Sequence, residues 1–294
     1  MPPPPRAAYA LFGRKLPQVQ KYAQLLHTAG VERGLIGPSE AERLWDRHLL
    51  NCGVVTELIP VTRSEPVAPQ PVSEPGIGEP PVSEPPVNPE APLGVAPGIG
   101  DRARGSGNAS RDGGWGRGTA SVQDRRVSVG QEKPVELADL GSGAGLPGLV
   151  LAILLPQVRV ILVEPMGRRA TFLLECTAEL GLGNVQVRRG RAEDLTGEIQ
   201  ADVVTSRAVA RLDRLAVLAA GLARPGGLVL AIKGATARHE LDRALPVLRR
   251  IGATGAEIVS AGAGLLDQPT TVVRFQTRHS SELGSRRGCG GARV

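Results

Sequence analysis

From residue 134 onward, short apolar runs alternate with stretches whose apolar positions recur every three or four residues. The runs fall at 135–140 (VELADL), 159–164 (RVILVE), 185–189, 202–206 (DVVTS), 227–233 (GLVLAIK), 256–260 and 270–276. Apolar runs of this length, bounded by turn residues, predict buried strands. The stretches between them predict helices, most clearly 167–181, where Phe172, Leu173, Cys176 and Leu180 share a face. Alternation sustained over 134–277 predicts an α/β domain with a mostly parallel sheet covered on both faces. No long helix separates the last two strands, so they are expected to pair as an antiparallel hairpin at one edge.

Upstream the pattern is helical. Val19, Tyr22 and Leu26 fall on one helical face, and Trp45, Leu49 and Cys52 form an apolar stripe at i, i+4, i+7. After Gly37 and Pro38, Ser39 and Glu42 have the spacing of a capping box. Residues 1–60 are therefore expected to be a small helical region, a lid or buttress for the α/β domain. Periodicity is lost over 61–133. Prolines recur from Pro66 to Pro97, the unit PVSEP stands at 71–75 and 81–85, and glycine takes over from Gly105 to Gly118. Too few apolar side chains remain to offset the entropy of ordering, which predicts a disordered insertion, either a tolerated linker or a partner-binding segment. The Gly/Arg-rich tail, 278–294, is expected to be flexible.

Composition sharpens this picture only in part. A net charge of +6 and a pI of about 9.8 suit an anionic partner. Only Lys15, Lys21, Lys133 and Lys233 are lysines, however, so the charge is nearly all arginine, which a biased genome could also produce. Aromatic residues make up 2%, which argues against a base-stacking platform for single strands. Cys52, Cys176 and Cys289 are too far apart for a metal or CxxC motif and are expected as reduced thiols, with no metal bound. No apolar run is long enough to span a membrane, and MPPPPRAAYA lacks a signal-peptide core, so a cytoplasmic protein is expected.

The densest chemical signal is Asp139-Leu-Gly141-Ser-Gly143-Ala-Gly145-Leu146-Pro147-Gly148, at the turn from the first strand into the first helix of the α/β region. Glycines there let a ligand approach the backbone, and Pro147 suits a first helical turn. Glu164 ends the next strand, where an acid can bind ribose hydroxyls. Gly143, Gly145 and Gly148 also satisfy GxGxxG, so a dinucleotide and a nicotinamide oxidoreductase remain an alternative. The acid at Asp139 tilts the choice. A carboxylate beside that loop would repel a pyrophosphate, whereas S-adenosylmethionine has no phosphate and presents an ammonium. Further on, Arg191-Ala192-Glu193-Asp194 comes after the third strand, where Glu193 or Asp194 can meet an adenine amino group. Arg207 ends the fourth strand and Lys233 the fifth, placing cations on the ligand edge of the sheet.

Taken in order, DLGSGAGLPG, VEP, RAEDL, SRAVA and IKG, with Leu44-Trp45-Asp46-Arg47-His48 upstream, resemble the bacterial small-subunit rRNA guanine-N7 methyltransferases, the glucose-inhibited division protein B family. The likeness covers about 38–60 and 134–277 and implies a Rossmann-like class I methyltransferase fold. By that resemblance Gly141, Leu146, Ala192, Glu193 and Arg207 are donor-binding positions, and Glu164 is the ribose ligand. Arg47, His48, Arg191, Arg207 and Lys233 would face RNA, and the substrate would be one guanine in the 530 loop of 16S rRNA, free or in the small subunit. Two features differ from the family: the long insertion, and HTAGVERGLIGPS where a Trp-Asn and Asn-Leu-Thr segment is usual. Guanine N7 carries a lone pair and no proton, so no catalytic base is expected and none is evident. A monomer is expected. A methyltransferase acting on another RNA or on a small molecule would share the donor loop without needing both Arg207 and Lys233. A non-catalytic RNA-binding module would lack donor affinity.

Overall fold

The computed structural model describes residues 1–62 and 133–278. The insertion expected at 61–133 and the tail expected at 278–294 lie almost wholly outside the described residues. Seven strands form one sheet: β1 (Glu136–Leu140), β2 (Arg159–Glu164), β3 (Val185–Arg189), β4 (Ala201–Arg207), β5 (Ala223–Lys233), β6 (Thr254–Ala261) and β7 (Thr270–Gln276). Their order is β3-β2-β1-β4-β5-β7-β6, with β1 to β5 parallel and β7 antiparallel to both of its neighbours. The expected hairpin is present, and its second strand is the one inserted beside β5, leaving β6 at the edge. Chain order reverses at β1, which pairs with both β2 and β4. Ligands of open parallel sheets bind beyond the carboxyl ends of the strands at such a reversal.

Side-chain alternation splits the sheet into two cores. Leu137, Val160 and Leu162 face one apolar cluster, and Ala138, Leu140, Ile161 and Val163 face the other. The second cluster is covered by α7 (Leu212–Leu222) and α8 (Ala237–Arg250). Over the first lie α5 (Gly148–Leu154) and α6 (Gly167–Glu179), together with the N-terminal helices α1 (Arg6–Phe12), α2 (Leu16–Leu25), α3 (Pro38–Ala41) and α4 (Leu50–Gly53). Val19, Tyr22 and Leu26 are fully buried there, as are Leu49 and Cys52, and Trp45 is nearly so. Ion pairs Lys21–Glu179 (3.0 Å) and Arg33–Glu175 (2.6 Å) tie the same region to α6 along its outer surface. The N-terminal helices thus share a core with the sheet.

The capping box expected from Ser39 and Glu42 does not form. Gly37 is the N-cap, Pro38 takes the first helical position, and α3 ends at Ala41, so Glu42 stands at the C-cap. Proline's fixed φ starts the helix two residues before a serine cap would. Among the described residues no helix is long and apolar enough to cross a membrane, and no group of three or more His, Cys, Asp or Glu could hold a metal ion.

Candidate active site

The glycine loop after β1 is held from above and below. Gly145 has φ of 100°, and a Cβ there would lie 2.4 Å from Leu149 Cδ1 and 2.8 Å from the Tyr22 hydroxyl oxygen. Only glycine meets both demands. Tyr22, on α2, donates from its hydroxyl to the Ala144 carbonyl at 2.8 Å, so the N-terminal region fastens the loop directly. Gly143 is the opposite case. Its φ is 58°, and a Cβ would meet nothing closer than the Gly141 carbonyl at 3.8 Å, so the space above it is open to a ligand. Gly141 is overlain by Val209 from the β4–α7 loop, whose Cγ2 would stand 2.5 Å from an added Cβ.

Two carboxylates brace this loop. Glu164, at the end of β2, accepts from the Gly143 amide (2.9 Å) with one oxygen and from the Met166 amide (2.9 Å) with the other. Asp139 lies two positions after Leu137 and so faces α5, where it is 1% exposed. Its Oδ2 accepts from the Gly148 amide at 3.0 Å, satisfying one of the free donors at that helix start. Its Oδ1 is buried without a hydrogen-bond partner. Burial pushes the Asp139 carboxyl up to about 7, against the nearby Ser142 hydroxyl and the Gly148 amide, which hold it down.

A cavity of about 820 Å³ opens over the carboxyl ends of β1, β2 and β4. It brings together Gly141, Gly143, Leu146, Glu164, Ala192 and Glu193, with Arg191 and Arg207 also on its wall. Asp139 and Gly145 do not line it; they support the loop from behind. Ala192 is buried, and Glu193 is exposed and lies 3.6 Å from Arg214.

On the far side of Arg207 lies a second groove of about 1580 Å³, bounded by Arg6, Arg43 and Arg47 from the N-terminal helices, Arg211, and the β6–β7 loop. Cavity and groove share a wall made of Glu40, Arg207, Ala208, Val209 and Ala210. Ala208 has φ of 54°, the single positive value on a non-glycine residue among those described, which is strain of about 1–2 kcal/mol held at the junction. Arg207 is fixed there by three contacts to the N-terminal region. Its Nη2 donates to the Arg47 carbonyl (3.0 Å) and to His48 Nδ1 (2.7 Å), and its Nη1 lies 3.5 Å from Cys52 Sγ. The other ring nitrogen of His48 donates to Glu40 Oε2 at 2.8 Å. Burial, then the nearby Arg207 charge, lowers the His48 pKa, which keeps the ring neutral and fixes this tautomer.

The five expected RNA-facing residues therefore have unequal settings. Arg47 and Arg191 are exposed, Arg207 and His48 are half-buried and joined, and Lys233 lines the second groove with its ammonium paired inside the protein. Lys233 Nζ is 2.9 Å from Glu240 Oε2 and donates to the Ala210 carbonyl at 2.9 Å, with its side chain 8% exposed. Apolar periodicity marks Tyr22 only as part of a buried face, and no motif singles out Glu40. A tyrosine on a buried face needs a partner for its hydroxyl, so Tyr22 carried a usable signal. Glu40 carried none, because its role depends on residues 8 and 167 positions away in the chain.

A model of the family described as rRNA small subunit methyltransferase G matches residues 15–68 and 122–262. The ribosomal RNA small subunit methyltransferase G of Thermobifida fusca is 38% identical over 96% of this chain and 89% of its own length. Its counterpart in Renibacterium salmoninarum is 36% identical over 92% of each. The chain belongs to this family. Among solved structures, a putative S-adenosyl-L-methionine-dependent methyltransferase from Methanococcus maripaludis superposes with a TM-score of 0.41 at 16% identity, over 49% of this chain and 78% of that one.

Family membership agrees with the resemblance read from the motifs: the chain is a methyltransferase that uses S-adenosylmethionine as donor. The loop and its surroundings fit that molecule. The open face of Gly143 admits a ligand against the backbone, and the carboxylates of Glu164 on the cavity wall and Asp139 buried behind the loop make its surroundings acidic, which would oppose a pyrophosphate. The unpartnered Asp139 Oδ1 remains available for one further hydrogen bond.

Proposed function

We propose that the protein methylates N7 of one guanine in the 530 loop of 16S rRNA, acting as a cytoplasmic monomer on the rRNA or the small ribosomal subunit. The observation that carries this reading is the shared wall between the donor cavity and an arginine-bordered groove, with Arg207 in it. A donor in the cavity and a polyanionic acceptor in the groove, entering from opposite sides, meet at that wall.

In this reading Gly141, Gly143 and Leu146 form the seat of the donor, with Gly145 supporting the turn. Glu164 takes the ribose hydroxyls, Asp139 the ammonium through water, and Ala192 with Glu193 the adenine. When bound, S-adenosylmethionine supplies an electrophilic methyl group on a sulfonium. Guanine N7 needs no deprotonation to attack it, so the protein's work is to align the base and match its charge. Arg207 donates to O6 of the guanine, next to N7, and lowers the barrier by orienting that edge. His48 and the Arg47 carbonyl hold the guanidinium in place. Arg47 and Arg191 contact phosphates, which position the RNA without reading its sequence. Lys233 acts on RNA through the loop it holds, by way of Ala210. The base must be unpaired or turned out of its stack to reach the wall.

The test is incubation with labelled S-adenosylmethionine and small subunits from a strain lacking this methyl group, followed by mapping of the label. Label on N7 of one 530-loop guanine supports the reading. Donor binding with label on a different acceptor overturns the substrate and keeps the fold and donor.

A further inference from the structure

The shared wall contains only two polar side chains, Glu40 and Arg207; the rest is Ala208, Val209 and Ala210. We propose that Glu40 is the residue that selects guanine, its carboxylate accepting from N1–H and the 2-amino group while Arg207 donates to O6. This rests on the reading that the acceptor is a guanine. Along its pairing edge guanine presents an acceptor and then two donors, O6, N1–H and N2–H. A guanidinium and a carboxylate set along one wall, here with the His48 ring between them, are the complement in that order. Adenine reverses it, setting an amino group against the guanidinium and the N1 lone pair against the carboxylate. Engaging this edge leaves N7, on the other side of O6, free to be methylated.

The structure holds the two groups ready without letting them neutralise each other. The neutral His48 ring stands between them, accepting from Arg207 on Nδ1 (2.7 Å) and donating to Glu40 Oε2 (2.8 Å). One carboxylate oxygen is thereby anchored, and Oε1 lies 3.5 Å from Arg47 Nη1. The hydrogen bond from His48 keeps the Glu40 carboxyl below its ordinary value, so the acceptor stays ionised. Glu40 is also the third residue of α3, a helix whose start is fixed by Pro38, which sets the carboxylate's position on the wall.

The alternative is that Glu40 merely buttresses His48 and Arg207. Small-subunit RNA assembled with either guanosine or inosine at the target position separates the two, because inosine keeps O6, N1–H and N7 and lacks the 2-amino group. Wild-type protein is expected to prefer guanosine in kcat/KM by about tenfold, the effect of one lost hydrogen bond to a charged group. Glu40→Gln keeps a carbonyl for His48 but turns an amide donor toward N1–H. It should lower kcat/KM on guanosine by about 10- to 100-fold and bring the guanosine-to-inosine ratio close to one. Glu40→Ala should likewise abolish the preference, with donor affinity preserved in both variants. If both variants slow guanosine and inosine equally and the wild-type ratio persists, Glu40 is a buttress and the proposal fails. If wild-type protein binds donor and labels no guanine, the proposed function fails, and the selection of guanine with it.

Discussion

On the donor side, shape is made by backbone and by residues close in sequence: a loop of glycines, its amides held by carboxylates at the ends of β1 and β2. On the acceptor side it is made by side chains brought from afar. Arg207 is placed by Arg47, His48 and Cys52, and the groove is bounded by α1, the β4–α7 loop and the β6–β7 loop. A backbone site tolerates almost no change at its glycines and depends little on distant parts of the molecule. A side-chain site can lose one member and keep its fold, but it works only when the N-terminal helices are docked. Tyr22 links them by reaching from α2 to the donor loop, as does Val209 of the shared wall, which lies over Gly141.

The largest expected effect breaks the donor side. Gly145→Ala would place a methyl group 2.4 Å from Leu149 Cδ1, at φ of 100°. Backbone strain and overpacking together should cost about 4 kcal/mol of stability. Donor affinity and the Tyr22 contact should fall with it. Thermal unfolding and donor titration measure both, and a variant as stable as wild type would show that the loop is not held as described. Next comes Arg207→Ala. Removing one preorganised donor at the reacting base should lower methyl transfer by about 100- to 1000-fold, near 3 kcal/mol of barrier. Donor affinity should change far less. Equal losses in transfer and donor affinity would mean that Arg207 belongs to the donor half of the site.

The same contrast explains what the sequence allowed. Strand and helix positions were readable because apolar period is a local property, and the donor loop because a glycine run between strand and helix has few other uses. Hairpin pairing was readable from the missing crossover helix; the insertion of β7 between β5 and β6 was not, since it depends on which edge each strand finds. Ser39 and Glu42 had the right spacing for a capping box, but Pro38 preset the helix start. Lys233 stood out as the sole lysine after 133, and its singularity in the sequence matched an ion pair with Glu240 seven residues on. A cation at a strand end reads the same whether it faces solvent or a partner on the next helix.

Asp139→Asn sharpens the comparison from the donor side, because it should move stability and binding in opposite directions. The folded carboxyl titrates near 7, above its ordinary value of 3.8. Its contribution to stability is therefore full below pH 3.8 and is lost as pH rises through about 7, because the unfolded state gives up its proton first. Asparagine keeps an oxygen for the Gly148 amide and cannot ionise. The variant should gain on wild type between pH 4 and 7 and remain more stable above, by about 2 kcal/mol once the cost of an unpartnered amide is set against the relief. Donor affinity at pH 8 should drop if the carboxylate meets the ammonium. Parallel stability curves for the two proteins across this range would remove the argument from burial.

The smallest effects test the acceptor side, through two cations that the sequence treats alike. Arg191 is exposed on the cavity rim, so Arg191→Ala should leave stability within about 0.5 kcal/mol of wild type. If Arg191 contacts a phosphate, RNA affinity should weaken modestly and the dependence of log affinity on log salt should flatten by about one unit. Lys233 differs because its partners are within the fold. Lys233→Ala leaves the Ala210 carbonyl without this donor and Glu240 with only Thr236 and the Leu212 amide, so it should show first as lost stability, about 2 kcal/mol for a pair this sheltered. Its salt slope should stay that of wild type, because no phosphate contact is removed. A flattened slope for Lys233→Ala would place that lysine on RNA after all. An unchanged slope for Arg191→Ala would remove the rim arginine from the interface, leaving RNA to be held by Arg47 and the groove beyond it.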